Sequence, residues 1–269
     1  MTELDRIRAT TAPATRARVR EDLARLGVRP GSVLLVHSSL SALGWVCGGA
    51  QAVVEGLLDA LGPAGTLVVP THTSGNSDPA GWRNPPVPES WWPAIREQMP
   101  GFDPRTSPTH LGAIPELVRT WPDARRSGHP QVSCAAVGAH AEEIAAGHGL
   151  DSGFGERSPV ARVRDRDGDV LLLGAGHGSN SSLHLAEHRL PDPPRETSSA
   201  ALMTPEGRRW VTWEEVETDA DDFEALGAAF DATGRTQVGP VGEGQARLMR
   251  QRELLDFAVG WMAENRRRA

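Results

Sequence analysis

The sequence predicts an α/β fold: one domain around a mixed sheet, with an elaborated loop layer and a C-terminal helix. Short apolar runs of strand length recur, "SVLLVHSS" (32–39), "GTLVVP" (65–70), "CAAVG" (134–138) and "DVLLLG" (169–174), each bounded by turn residues. Helical patterns lie between these runs. No repeat, low-complexity tract or linker interrupts the chain, so a single domain is expected over residues 1–269, with its core between 14 and 265.

Residues 14–27 read as an amphipathic helix, with Val19, Leu23 and Leu26 on one face and Gly27 near its end. A buried strand over 32–39 leads through a glycine-containing loop into a helix over 50–61, which Gly62 and Pro63 terminate. The next strand, 65–70, opens onto a long Pro-rich stretch from Thr71 to Pro108, the kind of loop that is usually functional or mobile. Its "ESWWPAIREQM" portion suits one short helix. After the strand at 134–138 come a helix over 140–146 and the strand at 169–174. Asn180 or Ser181 is placed to cap the following helix. Two short strand patterns in "SAALMTPEGRRWVTWEEV" (199–216) flank Pro-Glu-Gly and predict an antiparallel hairpin. The tail from Gly244 to Asn265 reads as a long helix, ending in Arg266, Arg267 and Arg268, which suit the negative end of the helix dipole.

Composition narrows the function. A net charge of −7 argues against non-specific nucleic-acid binding and suits cationic partners. All 28 basic residues are Arg, so a Schiff-base lysine is ruled out; with abundant Ala, Gly and Pro, this composition suggests a GC-rich bacterial genome. Cys47 and Cys134 are far apart and lack metal or redox spacing, which fits a reducing cytoplasm. The N-terminus has no apolar signal segment, and no window approaches the roughly 20 apolar residues of a membrane span. A cytoplasmic protein is expected.

Three stretches carry candidate chemistry. In "VLLVHSSLSALG" a strand runs into Ser38, Ser39, Leu40 and Ser41, whose backbone N–H groups and hydroxyls can face a phosphate. No nucleotide triphosphatase loop or G-x-S-x-G elbow accompanies them. In "SNSSLHLAEHR", His184 and Glu187 fall at i, i+3 on one helical face and offer a base with a carboxylate to orient it. His188 completes an H-x-x-E-H pattern, so a zinc hydrolase on His184 and His188 is a competing reading, and a polar helix start a third. In "WEEVETDADDFEAL" (213–226) seven carboxylates crowd together, a solvated helix start or an attractor for a polycation. His37 and His72 read as core or loop residues, His129 as a turn former before Pro130, and Cys134 as a packing residue.

Five stretches in order resemble one family, the aminoglycoside 3-N-acetyltransferases: "VLLVHSSLSALGWVCGGAQAVVEGLLDALGPAGTLVVPTHT", "FDPRTSPTHLGAIPELVR", "SGHPQVSCAAVGAHA", "GFGERSPV" and "VLLLGAGHGSNSSLHLAEHR". The resemblance spans about residues 14 to 260. It implies a mixed α/β fold distinct from the GNAT acetyltransferases. It also implies transfer of the acetyl group of acetyl-coenzyme A to the 3-amine of a 2-deoxystreptamine aminoglycoside, conferring antibiotic resistance. By the same resemblance Ser38, Ser39, Leu40 and Ser41 cradle the coenzyme phosphates, Thr106, Ser107, Val137, Ser152 and Phe154 line its pantetheine and nucleotide, and Thr71 sits beside the thioester.

The chemistry then calls for a base to deprotonate the attacking amine, for which His184 with Glu187 is the expected pair. Direct attack is expected, because no acyl-accepting nucleophile is placed for it. The Thr71 hydroxyl or nearby N–H groups would stabilise the oxyanion. Glu217, Asp221 and Asp222 are the expected partners of the drug's ammonium groups. No metal, nucleic acid or membrane is expected, and the protein would be a monomer or homodimer. A coenzyme A-dependent enzyme acting on a different amine stands as the alternative within the same fold.

Overall fold

The computed structural model describes residues 3–266. In chain order they form α1 (Glu3–Ala9), α2 (Arg16–Leu26), β1 (Val33–Ser38), α3 (Gly49–Leu61), β2 (Thr66–Pro70), α4 (Trp92–Gln98), α5 (Ala113–Arg119), β3 (Arg125–Arg126), β4 (Cys134–Gly138), α6 (Ala141–Ala145), α7 (Pro159–Asp165), β5 (Asp169–Leu173), α8 (Ser182–Glu187), β6 (Arg195–Thr204), β7 (Gly207–Val216), α9 (Phe223–Asp231), β8 (Gln237–Val241), β9 (Gly244–Arg250) and α10 (Gln251–Asn265).

A seven-stranded mixed sheet runs in the order β3-β4-β2-β1-β5-β9-β8, and β6-β7 form a separate hairpin. Only β2, β1 and β5 are mutually parallel; β4 and β9 flank them antiparallel. Alternate residues of each strand face opposite sides. Leu34 and Val36 pack with Leu67, Val69 and Leu171 under α2, α3 and α5. Val33 and Leu35 pack with Val68, Val170 and Leu172 under α6 to α10. The α3 crossover joins β1 to β2, while β5 lies on the other side of β1. The chain thus leaves a crevice at the carboxyl ends of β1 and β5, where open α/β sheets bind ligands.

Each helix boundary has a local cause. Thr15 caps α2 by accepting from Arg18 N–H, and Gly27, at φ 106°, closes it in the left-handed region that glycine tolerates. Gly138 (φ 123°) is required where β4 crosses β2, since a methyl there would lie 2.2 Å from the Gly65 carbonyl oxygen.

The structure differs from the expected elements in three places. Gly244–Arg250 is strand β9, and the helix begins only at Gln251. Its burial alternates at Gly244, Ala246 and Leu248, a period of two set by pairing with β5 and β8. The acidic run is not one helix start: Trp213–Val216 completes β7, and α9 begins at Phe223. The hairpin strands are ten residues each, longer than expected, with Gly207 at φ 107° closing the turn. Arg267 and Arg268 lie outside the described residues.

Candidate active site

His184 is placed by a short helix whose position is set from below. Ser181 is the N-cap of α8 without a side-chain bond, and Asn180 Oδ1, one residue earlier, accepts from the Ser182 N–H at 3.2 Å. Leu183, Leu185 and Ala186 are buried against α10 and its neighbours. The Ser182 hydroxyl is 2.9 Å from Gln251 Nε2, which also donates to Val160 O. The helix is therefore tied to the start of α10 and to α7, and His184 projects from its opposite side.

His184 lines a cavity of about 260 Å³ at the carboxyl ends of β1 and β5, together with His37, Ser38, Pro70, His72, Leu111, Ala175, Gly178 and Ser181. Phe154 stacks on the imidazole at 4.5 Å between centroids, and Phe223 packs on it at 4.7 Å. Behind the ring, His184 Nδ1 and Glu187 Oε2 are 2.7 Å apart. Glu187 is buried and accepts from this Nδ1–H, which leaves Nε2 as the lone-pair nitrogen of the neutral ring. Such a tautomer can receive a proton from a group in the cavity.

His37 and His72, read from sequence as core or loop residues, stand in the cavity wall. Burial first, then the nearby His184, pushes His37 down to about 3. Burial likewise pushes His72 down to about 3. Both stay neutral, and His37 Nε2, His72 Nε2 and Ser38 Oγ are buried without hydrogen-bond partners within the protein. Buried polar atoms of this kind require partners, and a polar ligand in the cavity would supply them. Glu224, at the start of α9, accepts from the Gly178 N–H of the cavity wall at 2.7 Å.

The other expected site residues divide. Ser38 lines the cavity, and Ser39 and Ser41 follow it with hydroxyls 3.3 Å apart; Leu40 packs partly buried against the core. Ser107 lines a neighbouring cavity of about 240 Å³ with Thr73 and His110, chain neighbours of His72 and Leu111. Thr106 is exposed beside it. Ser152 is buried, its hydroxyl accepting from Arg157 N–H. Phe154 supports the His184 ring.

Val137 lies on β4 within the core under α3 and α5, away from the cavity wall, because it shares the face of Leu67 and Ala135. Thr71, just after β2, makes its contacts within the protein. Its hydroxyl is fully buried, 3.2 Å from both Ser133 O and Ser133 Oγ, and accepts from Arg126 Nε at 3.1 Å. That network, rather than the cavity, occupies it.

Of the expected acidic partners, Asp222 is committed to Arg266, whose Nε and Nη2 donate to its two oxygens at 2.7 and 2.5 Å. Glu217 lines a separate cavity of about 310 Å³ with Glu187, Asp192, Asp219 and Arg266. Asp221 is exposed on the adjoining loop.

His188 sits by Gly155, where an added methyl would meet its Nδ1 at 2.8 Å, and burial pushes it down to about 4. Among the described residues no three His, Cys, Asp or Glu side chains are grouped to hold a metal. His129 shapes its turn as expected: Nδ1 accepts from Gln131 and Val132 N–H at 3.3 and 3.2 Å. Burial pushes the Cys134 thiol up to about 12, the behaviour of a packing residue.

The model of the family described as aminoglycoside 3-N-acetyltransferase matches residues 35–263. The chain is 41% identical over 261 residues to the SPbeta prophage-derived aminoglycoside N(3')-acetyltransferase-like protein YokD of Bacillus subtilis, covering 96% of each. The crystal structure of YokD superposes with a TM-score of 0.95 over 98% of both chains. AAC-IIIb in binary complex with CoASH is 33% identical, with a TM-score of 0.84 over 94% of this chain and 97% of that one. AAC-VIa bound to sisomicin is 32% identical, with a TM-score of 0.85 over 96% of this chain and all of that one. A match over most of the length, on the same mixed sheet, leads to one conclusion: the chain belongs to the aminoglycoside 3-N-acetyltransferase family and is an acetyltransferase.

Proposed function

We propose that this enzyme moves the acetyl group of acetyl-coenzyme A to the 3-amino group of a 2-deoxystreptamine aminoglycoside, with His184 as general base. The observation that carries the reading is the His184–Glu187 pair, locked at 2.7 Å and facing a cavity at the sheet's carboxyl edge. The reaction forms an amide C–N bond as the thioester C–S bond breaks, and the amine must lose a proton in doing so. His184 Nε2 takes that proton, and Glu187 stabilises the resulting imidazolium. Direct transfer to the amine is the simplest route, since the cavity presents no cysteine and no activated serine.

The family relative AAC-IIIb is a complex with CoASH, and AAC-VIa one with sisomicin; both support these two substrate classes for this chain. Ser38, Ser39 and Ser41 are the proposed phosphate-facing group, and Ser107 and Thr106 a flanking one. The Thr71 hydroxyl is engaged elsewhere, so nearby backbone N–H groups remain the proposed oxyanion partners. Glu217 and Asp221 remain the proposed ammonium partners, whereas both oxygens of Asp222 are taken by Arg266. Glu224, at the cavity wall, joins them. The coenzyme places the reaction in the cytoplasm, in keeping with the lack of any helix long and apolar enough to cross a membrane among the described residues.

The test is His184→Ala, assayed by thiol release from acetyl-coenzyme A against a panel of aminoglycosides. Turnover should fall roughly 10²–10⁴-fold, the range for a positioned base, with coenzyme affinity nearly unchanged. Near-normal turnover would remove His184 from the role. A parent enzyme that no 2-deoxystreptamine drug accelerates would point to a different amine.

A further inference from the structure

Only one oxygen of Glu187 serves His184. The other, Oε1, accepts from Arg266 Nη1 at 2.5 Å and from the Asp219 N–H at 3.0 Å. Arg266 follows the last residue of α10, where its own N–H closes the helix on Met262 O. Four of its five N–H groups are engaged: Nε and Nη2 clamp Asp222, Nη2 also donates to Asp219 O at 2.7 Å, and Nη1 holds Glu187. The guanidinium carbon lies 5.8 Å from the centroid of Phe223, the ring that packs on His184 at 4.7 Å. The hydrogen bond to Asp222, and after burial that to Glu187, raises the guanidinium above its ordinary value, so it stays charged.

We propose that Arg266 is a positioning residue for acetyl transfer: it fixes Glu187 against His184 and shares that carboxylate's charge with the ring. The proposal rests on His184 being the base.

A buried carboxylate bound to an imidazole alone favours the imidazolium, which cannot act as a base. A cation on the far oxygen opposes this through the shared carboxylate and by like-charge repulsion. It also adds a second donor on Oε1 beside the Asp219 N–H, which holds Glu187 more firmly against rotation. The electrostatics come down to few groups. Around the His184–Glu187 pair stand His37 from β1 and His72 from the loop after β2 in the cavity wall, His188 just after α8, Asp219 and Asp222 before α9, Arg266 after α10, and Glu224 of α9 against Gly178. Burial pushes His37 and His72 down to about 3 and His188 to about 4, so these three carry no charge in the working range. Arg266 is the cation of the set, and its removal has a definite sign.

The experiment records kcat against pH with one aminoglycoside for the parent, Arg266→Gln, Arg266→Lys and Asp222→Asn, with thermal melting as the folding control and His184→Ala alongside. With Arg266→Gln the acid limb should move to higher pH by about half a unit or more, and the plateau should fall about 10-fold as the ring loses its fixed orientation. Arg266→Lys should bring the limb back towards the parent position. Asp222→Asn removes an anion and leaves Glu187 as the only carboxylate bonded to Arg266, so the limb should move to lower pH. Opposite displacements of this kind do not follow from a merely structural role.

Limbs that stay in place in the folded variants, or move in the same direction, overturn the proposal. If Arg266→Gln does not fold, the direction of the Asp222→Asn limb decides. Loss of turnover in His184→Ala with unmoved limbs defeats the Arg266 role alone, whereas retained turnover defeats the general-base reading on which it rests.

Discussion

Replacing Glu187 by Gln keeps the size of the side chain and removes its charge at a site where every oxygen has a donor. Oε2 receives the His184 ring, and Oε1 receives Arg266 and the Asp219 N–H. The amide has one acceptor oxygen and one donor nitrogen, so it cannot replace both. With its oxygen on His184, the NH₂ faces the two donors of Arg266 and Asp219. Turned the other way, the NH₂ donates to His184 Nδ1 and places the ring proton on Nε2, the nitrogen that has to accept. A charge-assisted hydrogen bond contributes about 1.5–3 kcal/mol, and the imidazolium that forms during transfer loses that stabilisation. Converted at about 1.4 kcal/mol per decade, Glu187→Gln should lower kcat by about 10- to 150-fold. The KM for acetyl-coenzyme A should change by less than about threefold, since Glu187 is buried behind the ring and not in the cavity wall. Thiol release under saturating aminoglycoside, on protein shown to be folded by thermal melting, gives both constants. A folded variant with kcat within about twofold of the parent would refute the orienting role, and a variant that lost only coenzyme affinity would show the pair serving the wrong substrate.

Three further outcomes follow from the packing around the site. Burial holds His37, His72 and His148 down to about 3 and His129 to about 4, whereas unfolded histidines titrate near 6.5. Between those values the unfolded chain binds more protons, so stability is lost as pH falls from about 6.5, by about 2 kcal/mol per histidine at pH 5. Asp169, Glu196 and Glu215, raised by burial, work in the opposite direction but are three groups against five histidines once His188 is included. Urea midpoints should therefore be lower at pH 5 than at pH 7.5, and an unchanged or higher midpoint would count against neutral buried rings. Gly227→Ala should melt lower by about 5 °C or more, because the added methyl would lie 1.9 Å from His177 Cγ and overpacking costs about 1–3 kcal/mol; a melting point within about 1 °C of the parent would show that α9 gives way freely. A strong chelator should leave turnover unchanged, since among the described residues no three His, Cys, Asp or Glu side chains are grouped to hold a metal, and activity lost to chelation and restored by zinc would reverse that.

The backbone plan was legible because its code is local. Unbroken apolar runs in "SVLLVHSS" and "DVLLLG" mark strands buried on both faces, and Gly27 and Gly62 mark the helix ends. Gly244–Arg250 was misread because a seven-residue stretch ahead of a genuine helix carries too few turns to separate period two from 3.6, and β5 decided the matter by pairing with it. His184 and Glu187 could be named together for the same local reason, since three residues on a helix always bring two side chains onto one face.

Local spacing says nothing about which distant groups a side chain will meet. His37, Phe154, Phe223 and Arg266 converge on the pair from four separate elements. By the same register Thr71 turns its hydroxyl to Ser133, and Val137 faces the core rather than the cavity. Asp222 looked like one acid among seven until the end of α10 brought a guanidinium to it. What the sequence determined by itself was the order of elements and the base with its carboxylate, both written in short-range periodicity. The tertiary structure alone decided how that carboxylate is shared and which acids remain free, because a buried charge takes the partner that sheet order and helix packing bring within hydrogen-bond reach.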